Sequence, residues 1–119
     1  MAKLTERKRL ERKLDKAFSI HIKWKDKHEC QKCGRTDLQG VSAQCSHVVP
    51  RRYRITRWDV DNALCLCPTC HRWWHSEPCE SGAWFEEKWP ERHARLMEQK
   101  RITVKWSLDE LEEMLEELE

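Results

Sequence analysis

Long apolar runs are missing from this sequence, and glycine is scarce. No apolar stretch among the 119 residues approaches the length that spans a membrane, so we expect a soluble protein. The N-terminus also lacks the apolar stretch that is typical of a signal peptide. Only three glycines and four prolines are present, and the first residue of either kind is Gly34. A start without these two residues favours one long helix.

The N-terminal part, residues 1–28, is predicted to be a basic helix, which we place over residues 4–28. It carries ten Lys or Arg residues against four acidic ones. Its apolar side chains recur at helical spacing and define one stripe, which consists of Leu10, Leu14, Ala17, Phe18 and Ile22. The helix could dock on the rest of the protein with its charges solvated, or those charges could approach phosphates.

Cysteine, in contrast, is frequent, with seven copies. The number is odd, and four of the cysteines form two Cys-x-x-Cys pairs, which is not the pattern of a disulfide scaffold. Zinc binding in a reducing cytosol fits this pattern better, and we therefore expect a cytoplasmic protein. A domain of 119 residues with 37% charged side chains also has a modest core, which a metal would help to stabilise.

The natural zinc ligands are the four cysteines of these two pairs. Cys30 and Cys33 come first, and Cys67 and Cys70 follow 34 residues after the end of the first pair. Four thiolates bind zinc tetrahedrally in closed, structural sites. Gly34 suits the tight turn that closes the first pair, because glycine tolerates positive φ.

The other three cysteines leave alternatives open. Cys65 lies two residues before Cys67 on the same strand face, so it could compete for the metal. Cys45 and Cys79 have no paired neighbour. We interpret all three as free thiols or core residues. A thiol-redox role for the Cys-x-x-Cys pairs would not explain why two of them occur, with a histidine directly after the second.

One histidine and one asparagine lie between the two cysteine pairs. They are His47 and Asn62, and His71 completes the pattern Asn-x3-Leu-Cys-x2-Cys-His. This combination resembles the HNH endonuclease family, the zinc-containing branch of the ββα-metal nucleases. The resemblance covers roughly residues 29–76, under half of the chain.

The resemblance implies an α+β fold with a small ββα core stapled by zinc. We expect a single domain over residues 1–119. The core would occupy residues 29–79, with the basic helix before it and C-terminal helices over residues 80–119.

Catalytic roles also follow from the resemblance. His47 matches the general base, and imidazole suits proton transfer from water near neutral pH. Asn62 matches the residue that holds the loop and helps to orient the base. His71 and His75 match metal-binding positions. They are four residues apart on one helix face, so they could grip one divalent cation such as Mg²⁺ or Mn²⁺. His75 could instead only pack or cap.

One position departs from the family pattern. Family members commonly have Asp or His directly before the general base as a metal ligand, whereas this chain has Ser46. The metal could use His71, His75, water and substrate phosphate. Alternatively, Asp59 could serve as a ligand, or His47 itself could touch the metal.

A basic segment follows His47 and is predicted to bind nucleic acid. Its arginines are Arg51, Arg52, Arg54 and Arg57. Arginine binds phosphates through two parallel hydrogen bonds, and phosphates dominate affinity for nucleic acids. The alternative is a loop that is only solvated. Three tryptophans near the motif are interpreted as packing residues: Trp58, Trp73 and Trp74.

Local patterns predict the remaining elements. Strands are predicted over residues 41–49 and 64–66, followed by a helix from about Thr69. Pro78 and Gly82 are predicted to break that helix.

The C-terminal part, residues 80–119, holds six Lys or Arg against twelve acidic residues, a balance that does not suit a polyanion. Pro90 marks a helix start, and Ser107 with Glu110 forms a capping box for the last helix. The apolar side chains predicted to be buried here are Trp84, Phe85, Trp89, Leu96, Met97, Leu108, Leu111, Met114, Leu115 and Leu118.

The sequence thus favours metal-dependent hydrolysis of DNA. By resemblance, the products would carry 5′-phosphate and 3′-hydroxyl ends, and the source would be a phage or a bacterium. The main alternative is a zinc-stapled DNA- or protein-binding module without catalytic activity, for which Ser46 is the best support. A thiol-redox protein is a third possibility.

Overall fold

The computed structural model describes residues 5–119 and begins with a long helix. Helix α1 spans Glu6–Lys25, and the Thr5 side chain caps it by accepting a hydrogen bond from the Lys8 backbone N–H at 3.1 Å. The helix ends where Lys27 and His28 adopt positive φ, which a right-handed helix cannot contain. The predicted helix is therefore confirmed but ends three residues earlier. Residues 1–4 of the predicted basic segment lie outside the described residues.

A two-stranded antiparallel hairpin follows. Strand β1 spans Gln44–His47 and strand β2 spans Ala63–Leu66, with Cys45 opposite Cys65 in the register. The first strand is shorter than predicted, because a 3₁₀ turn over Gly40–Ser42 precedes it. Gly40 has a φ of +56°, which breaks the extended conformation.

Four more helices complete the described part of the chain. Helix α2 spans Pro68–Ser76, α3 Pro78–Lys88, α4 Pro90–Gln99 and α5 Leu108–Leu118. The first three of these begin with proline, whose missing N–H is not needed in a first helical turn. The capping box of α5, formed by Ser107 and Glu110, is confirmed.

The prediction of a helix break at Gly82 is wrong, whereas the break at Pro78 is confirmed. Gly82 lies inside α3, between the buried residues Ser81 and Phe85. A single glycine costs a helix only about 1 kcal/mol relative to alanine. Burial of Phe85, which is fully inaccessible, outweighs this cost.

Two hydrophobic cores lie against the hairpin. The first, which we call the cysteine-side core, joins Leu64 and Leu66 of β2 to the cysteine pairs and to Trp74, Phe85 and Leu96. The second, which we call the α1–α5 core, joins the apolar stripe of α1 to α5, Trp58 and Ala63. All four residues of β2 are buried, since this strand has a core on each face. The result is the predicted α+β fold, in which β1, β2 and α2 form the ββα unit.

Within the described residues, no helix is both long and apolar enough to cross a lipid bilayer.

Candidate active site

The four predicted zinc ligands converge in space. The sulfur atoms of Cys30, Cys33, Cys67 and Cys70 all lie within 4.8 Å of one another, and the Cys33 and Cys67 sulfurs are 3.8 Å apart. A tetrahedral zinc with Zn–S bonds of about 2.3 Å would separate its sulfur ligands by about 3.8 Å. This donor set could therefore hold a metal such as zinc.

Local structure brings the two pairs together. The first pair lies in a turn after α1, in which the Gly34 N–H donates to the Cys30 carbonyl at 2.9 Å and Gly34 has a φ of +80°. Cys67 is the N-cap residue of α2, and Cys70 lies in its first turn. A hydrogen bond of 3.0 Å from the Gln31 N–H to the Cys65 carbonyl ties the turn to β2.

The other three cysteines, Cys45, Cys65 and Cys79, do not belong to this cluster. Burial raises the pKa of Cys45 to about 12 and that of Cys65 to about 11, so both stay protonated at neutral pH. Burial also acts to raise the pKa of Cys30, which belongs to the cluster. The backbone hydrogen bonds that involve Cys33, Cys67 and Lys32 outweigh it and lower the Cys30 pKa to about 7. Because burial also raises the pKa of Cys70, which belongs to the cluster, the thiol pKa does not separate ligands from core residues. Cys65 is interpreted as a core residue because it is fully buried in the cysteine-side core and lies outside the cluster.

Two histidines on α2 form the second group of possible metal ligands. The His71 and His75 Nε2 atoms are 3.1 Å apart, and His71 is half-buried whereas His75 is exposed. Two imidazole nitrogens that bind one ion at about 2.1 Å and at a right angle would lie about 3.0 Å apart. The observed spacing fits such a pair. No third Asp, Glu, His or Cys joins them within residues 5–119.

Gln44, at the start of β1, orients His71. Its Oε1 atom lies 2.7 Å from His71 Nδ1, and an amide oxygen only accepts, so Nδ1 carries the proton and Nε2 is left to face His75. Burial, followed by the charge of His75, lowers the pKa of His71, which favours the neutral form that binds metals. Contacts of this kind tune metal-ligating histidines in proteins.

His47, the predicted general base, is held by a backbone carbonyl. Its Nε2 atom lies 3.0 Å from the Arg57 oxygen, and since the carbonyl only accepts, Nε2 carries the proton. Nδ1 has no hydrogen-bond partner among the described residues and is free to accept a proton. Burial lowers the pKa of His47, so the imidazole is neutral at pH 7.

Asn62 holds the loop that presents this carbonyl. It is fully buried, accepts a hydrogen bond from the Val49 N–H at 2.7 Å, and donates to the carbonyls of Val49 and Thr56 at 3.0 Å each. Its side chain therefore joins both ends of the segment between His47 and Arg57. Asn62 does not contact His47 itself, and its role in orienting the base stays a prediction.

Neither Ser46, which stands where family members commonly have a metal ligand, nor Asp59, considered above as a substitute, lines the cavity described below. Ser46 is buried, and its hydroxyl has no hydrogen-bond partner within residues 5–119. Asp59 caps a 3₁₀ turn and pairs with Arg95 at 2.9 Å. The suggestion that Asp59 completes the site is therefore wrong, because its carboxylate already has a partner on α4.

The arginines after His47 divide into two kinds. Arg57 pairs with Asp15 at 2.7 Å and is largely buried, while Arg54 pairs with Glu11. Arg51 and Arg52 are exposed, although Arg51 also approaches Asp15 at 3.7 Å. The nucleic-acid contacts predicted for the four arginines stay predictions, and the proposal below uses Arg51 and Arg52, because Arg54, although also exposed, pairs closely with Glu11.

One cavity of about 1100 Å³ joins the separate parts of the site. His47 lines it from the hairpin, and His71 and His75 line it from α2. Helix α1 contributes a stripe at four-residue spacing, which consists of Asp15, Ser19 and Lys23. This stripe was not predicted from the sequence. The helical pattern of α1 was defined by its apolar residues alone, and these three polar residues recur at the same spacing. Gln44 was also missed, because nothing in the sequence indicates its contact with His71, which follows 27 residues later.

A cysteine cluster suited to zinc, beside a hairpin and a helix that direct histidines to one cavity, defines a ββα-metal type of protein. A family model described as HNH endonuclease matches residues 30–78. This segment runs from the first cysteine of the cluster to the start of α3, spans less than half of the chain, and is similar to the HNH endonuclease family. No curated protein and no solved structure gives a significant match to the chain.

Proposed function

We propose that this protein is a metal-dependent endonuclease that hydrolyses phosphodiester bonds in DNA. The observation that carries the proposal is the convergence of His47 with the pair His71 and His75 on one cavity. His47 has a free imidazole nitrogen that can accept a proton. The Nε2 atoms of His71 and His75 are separated by a distance that suits two ligands of one metal ion. The family match supports nucleic acid as the substrate.

The proposed reaction begins with proton transfer to His47. Nδ1 accepts a proton from water while Nε2–H stays bonded to the Arg57 carbonyl, which holds the ring in place. The resulting hydroxide attacks phosphorus, and the bond from phosphorus to the 3′ oxygen breaks. The 3′ oxygen then takes up a proton from solvent, and His47 returns the proton that it accepted to solvent. The products then carry 5′-phosphate and 3′-hydroxyl ends. Asn62 contributes by fixing the loop that bears the carbonyl.

The proposed role of His71 and His75 is to hold a divalent cation such as Mg²⁺ or Mn²⁺. Such an ion supplies positive charge that stabilises the phosphate and the leaving oxygen. With only two histidines from the described chain, water and substrate phosphate would complete its ligands. Zinc at the four cysteines would have a structural role, since four protein ligands leave no open position.

A second candidate function is a zinc-stapled binding module without catalysis. It is favoured by Ser46, which stands where family members commonly have a metal ligand and which is buried away from the cavity. A thiol-redox protein is disfavoured, because the four sulfurs form one cluster with the spacing of a tetrahedral metal site.

Metal analysis combined with plasmid nicking separates these possibilities. We expect about one zinc per chain, and nicking of supercoiled plasmid that requires added Mg²⁺ or Mn²⁺. Zinc without nicking at any divalent-ion concentration would favour the binding module. Absence of zinc, with disulfides that form and break reversibly, would favour the redox protein.

Arg51 and Arg52 are proposed to contact DNA phosphates. Arg51→Ala and Arg52→Ala should each weaken binding on all sequences alike and lower the salt slope by about 0.9 per lost phosphate contact. The measurement is fluorescence anisotropy with labelled duplexes over a range of salt concentrations. Arg101→Ala removes an exposed arginine after α4 and serves as the control. Unchanged affinity of both loop variants at low salt would show that the loop is only solvated.

A further inference from the structure

We propose that Asp15 is a positioning residue that fixes the orientation of His47 through Arg57. This inference rests on the proposed function of His47 as general base. Asp15 belongs to α1 and therefore lies outside the segment that matches the family, residues 30–78. Helix α1 therefore contributes to the function of the site as well as to the fold.

Asp15 grips Arg57 with both carboxylate oxygens. Oδ1 accepts from Arg57 Nε at 3.2 Å, and Oδ2 accepts from Nη2 at 2.7 Å. Oδ1 also accepts from the Trp58 indole N–H at 2.9 Å. Two-point contacts between arginine and carboxylate restrict the geometry as well as stabilise it. The side chain of Asp15 thus holds two consecutive residues of the loop.

This loop carries the carbonyl oxygen that accepts a hydrogen bond from His47. The Arg57 carbonyl accepts from His47 Nε2, and residues 48–59 contain no regular helix or strand that would hold that carbonyl in place. Asn62 fixes the loop at Thr56, one residue before Arg57. Asp15 fixes it at Arg57 itself. The orientation and tautomer of the base therefore depend on two side chains, one from each side of the loop.

Helix α1 contacts His47 directly as well. The ring of Phe18, three residues after Asp15, lies 5.4 Å from the His47 ring, centroid to centroid. Burial lowers the pKa of His47, and the positive charges of Arg51 and Arg57 act in the same direction, whereas the hydrogen bond to the Arg57 carbonyl and the negative charge of Asp15 oppose them. The helix thus packs against one face of the base and, through Arg57, holds the acceptor of its Nε2 proton.

Asp15→Asn tests the proposal, because it preserves the shape of the side chain. It removes the negative charge and one of the two oxygen atoms that accept hydrogen bonds from Arg57. We expect kcat for plasmid nicking to fall by about 10-fold to 100-fold, which is the cost of losing an outer contact that orients a functional side chain or of displacing that side chain by about 1 Å. KM should stay unchanged or fall, since a negative charge leaves the wall of a cavity that binds a polyanion. A variant that had simply lost DNA binding would show a raised KM.

Glu11→Gln is the matched control. It removes the same charge one turn earlier on α1, from a carboxylate that chiefly holds Arg54 and lies 3.8 Å from Arg57. We expect it to keep the wild-type kcat. Urea unfolding of both variants would show that the assays compare folded proteins. An equal loss of kcat in both variants would overturn the proposal, because any charge change on α1 would then suffice.

The His47→Ala background separates positioning from other effects. Mutations of residues that act as a unit do not have additive effects on the rate. Asp15→Asn should therefore cause no further loss of the residual nicking activity in the His47→Ala protein. A loss of the same size with and without His47 would mean that Asp15 acts elsewhere.

A spectroscopic measurement tests the same contact without relying on cleavage. In the zinc-loaded wild type, the ¹⁵N chemical shifts of His47 should report protonated Nε2 and unprotonated Nδ1. In Asp15→Asn the two tautomers should mix. If the wild type does not nick DNA, the proposed function fails while this measurement still decides the role of Asp15. If the wild type nicks DNA and the tautomer is unchanged in a fully active Asp15→Asn protein, the proposal for Asp15 fails alone.

Discussion

Cys30→Ala is expected to unfold the protein or to lower its free energy of unfolding by several kcal/mol. Cys30 belongs to the turn after α1, and Cys67 and Cys70 belong to the start of α2, so the proposed zinc joins segments that are about 35 residues apart. A metal that closes a loop of this length removes much freedom from the unfolded chain. Its binding energy is also folding energy, because the unfolded chain has no preformed site.

The measurement is zinc content together with urea unfolding followed by circular dichroism. Cys79→Ala is a matched control, because Cys79 is exposed in α3 and lies outside the cluster. It should keep wild-type zinc content and stability. In the wild type, a strong chelator should cause the same loss of zinc and of stability as Cys30→Ala. A metal-free Cys30→Ala protein with wild-type stability would show that the cluster is not a zinc site.

The second large effect is expected for His47→Ala. If His47 is the general base, its loss should lower the nicking rate by about 10²-fold to 10⁴-fold. The variant should fold and retain zinc, since His47 is half-buried and lies away from the cysteine cluster in the sequence. The measurement is the initial rate of plasmid nicking at saturating divalent ion.

His21→Ala provides the control for this variant. His21 belongs to α1 and does not line the cavity, so its loss should leave the rate unchanged. Equal rates for His47→Ala and the wild type would rule out His47 as the base.

The sequence identified the parts of the site that depend on local spacing. Two Cys-x-x-Cys pairs predicted the four sulfurs that do converge, because each pair fits one turn. The four-residue spacing of His71 and His75 predicted their contact, because helix geometry sets it. The helix start at Pro90 and the capping box of α5 also depend on local sequence, and both were predicted.

Long-range ion pairs could not be predicted in the same way. Arg54 and Arg57 are paired with Glu11 and Asp15, residues more than forty positions earlier, because α1 packs beside the loop. From the sequence alone, all four arginines of the loop were equally available to phosphate. Asp59 was likewise considered as a metal ligand, since nothing in the sequence indicated Arg95 as its partner. Tertiary packing decides these contacts.

At Gly82, a local preference predicted a helix break that tertiary packing prevents. Glycine weakens a helix, and this preference predicted a break. The helix continues because burial of Ser81 and Phe85 on one face fixes it against the cysteine-side core. In a small protein, a few buried side chains can override a local preference of this size.

The most direct test is a titration of Mn²⁺ against the nicking rate for the wild type, His47→Ala and His71→Ala. The account predicts that excess Mn²⁺ restores part of the activity of His71→Ala, because a weakened cation site can be refilled. It should do little for His47→Ala, since no ion replaces the lost base. Rescue of His47→Ala by excess metal would instead make His47 a metal ligand. Unchanged nicking in both purified variants would contradict the nuclease site altogether.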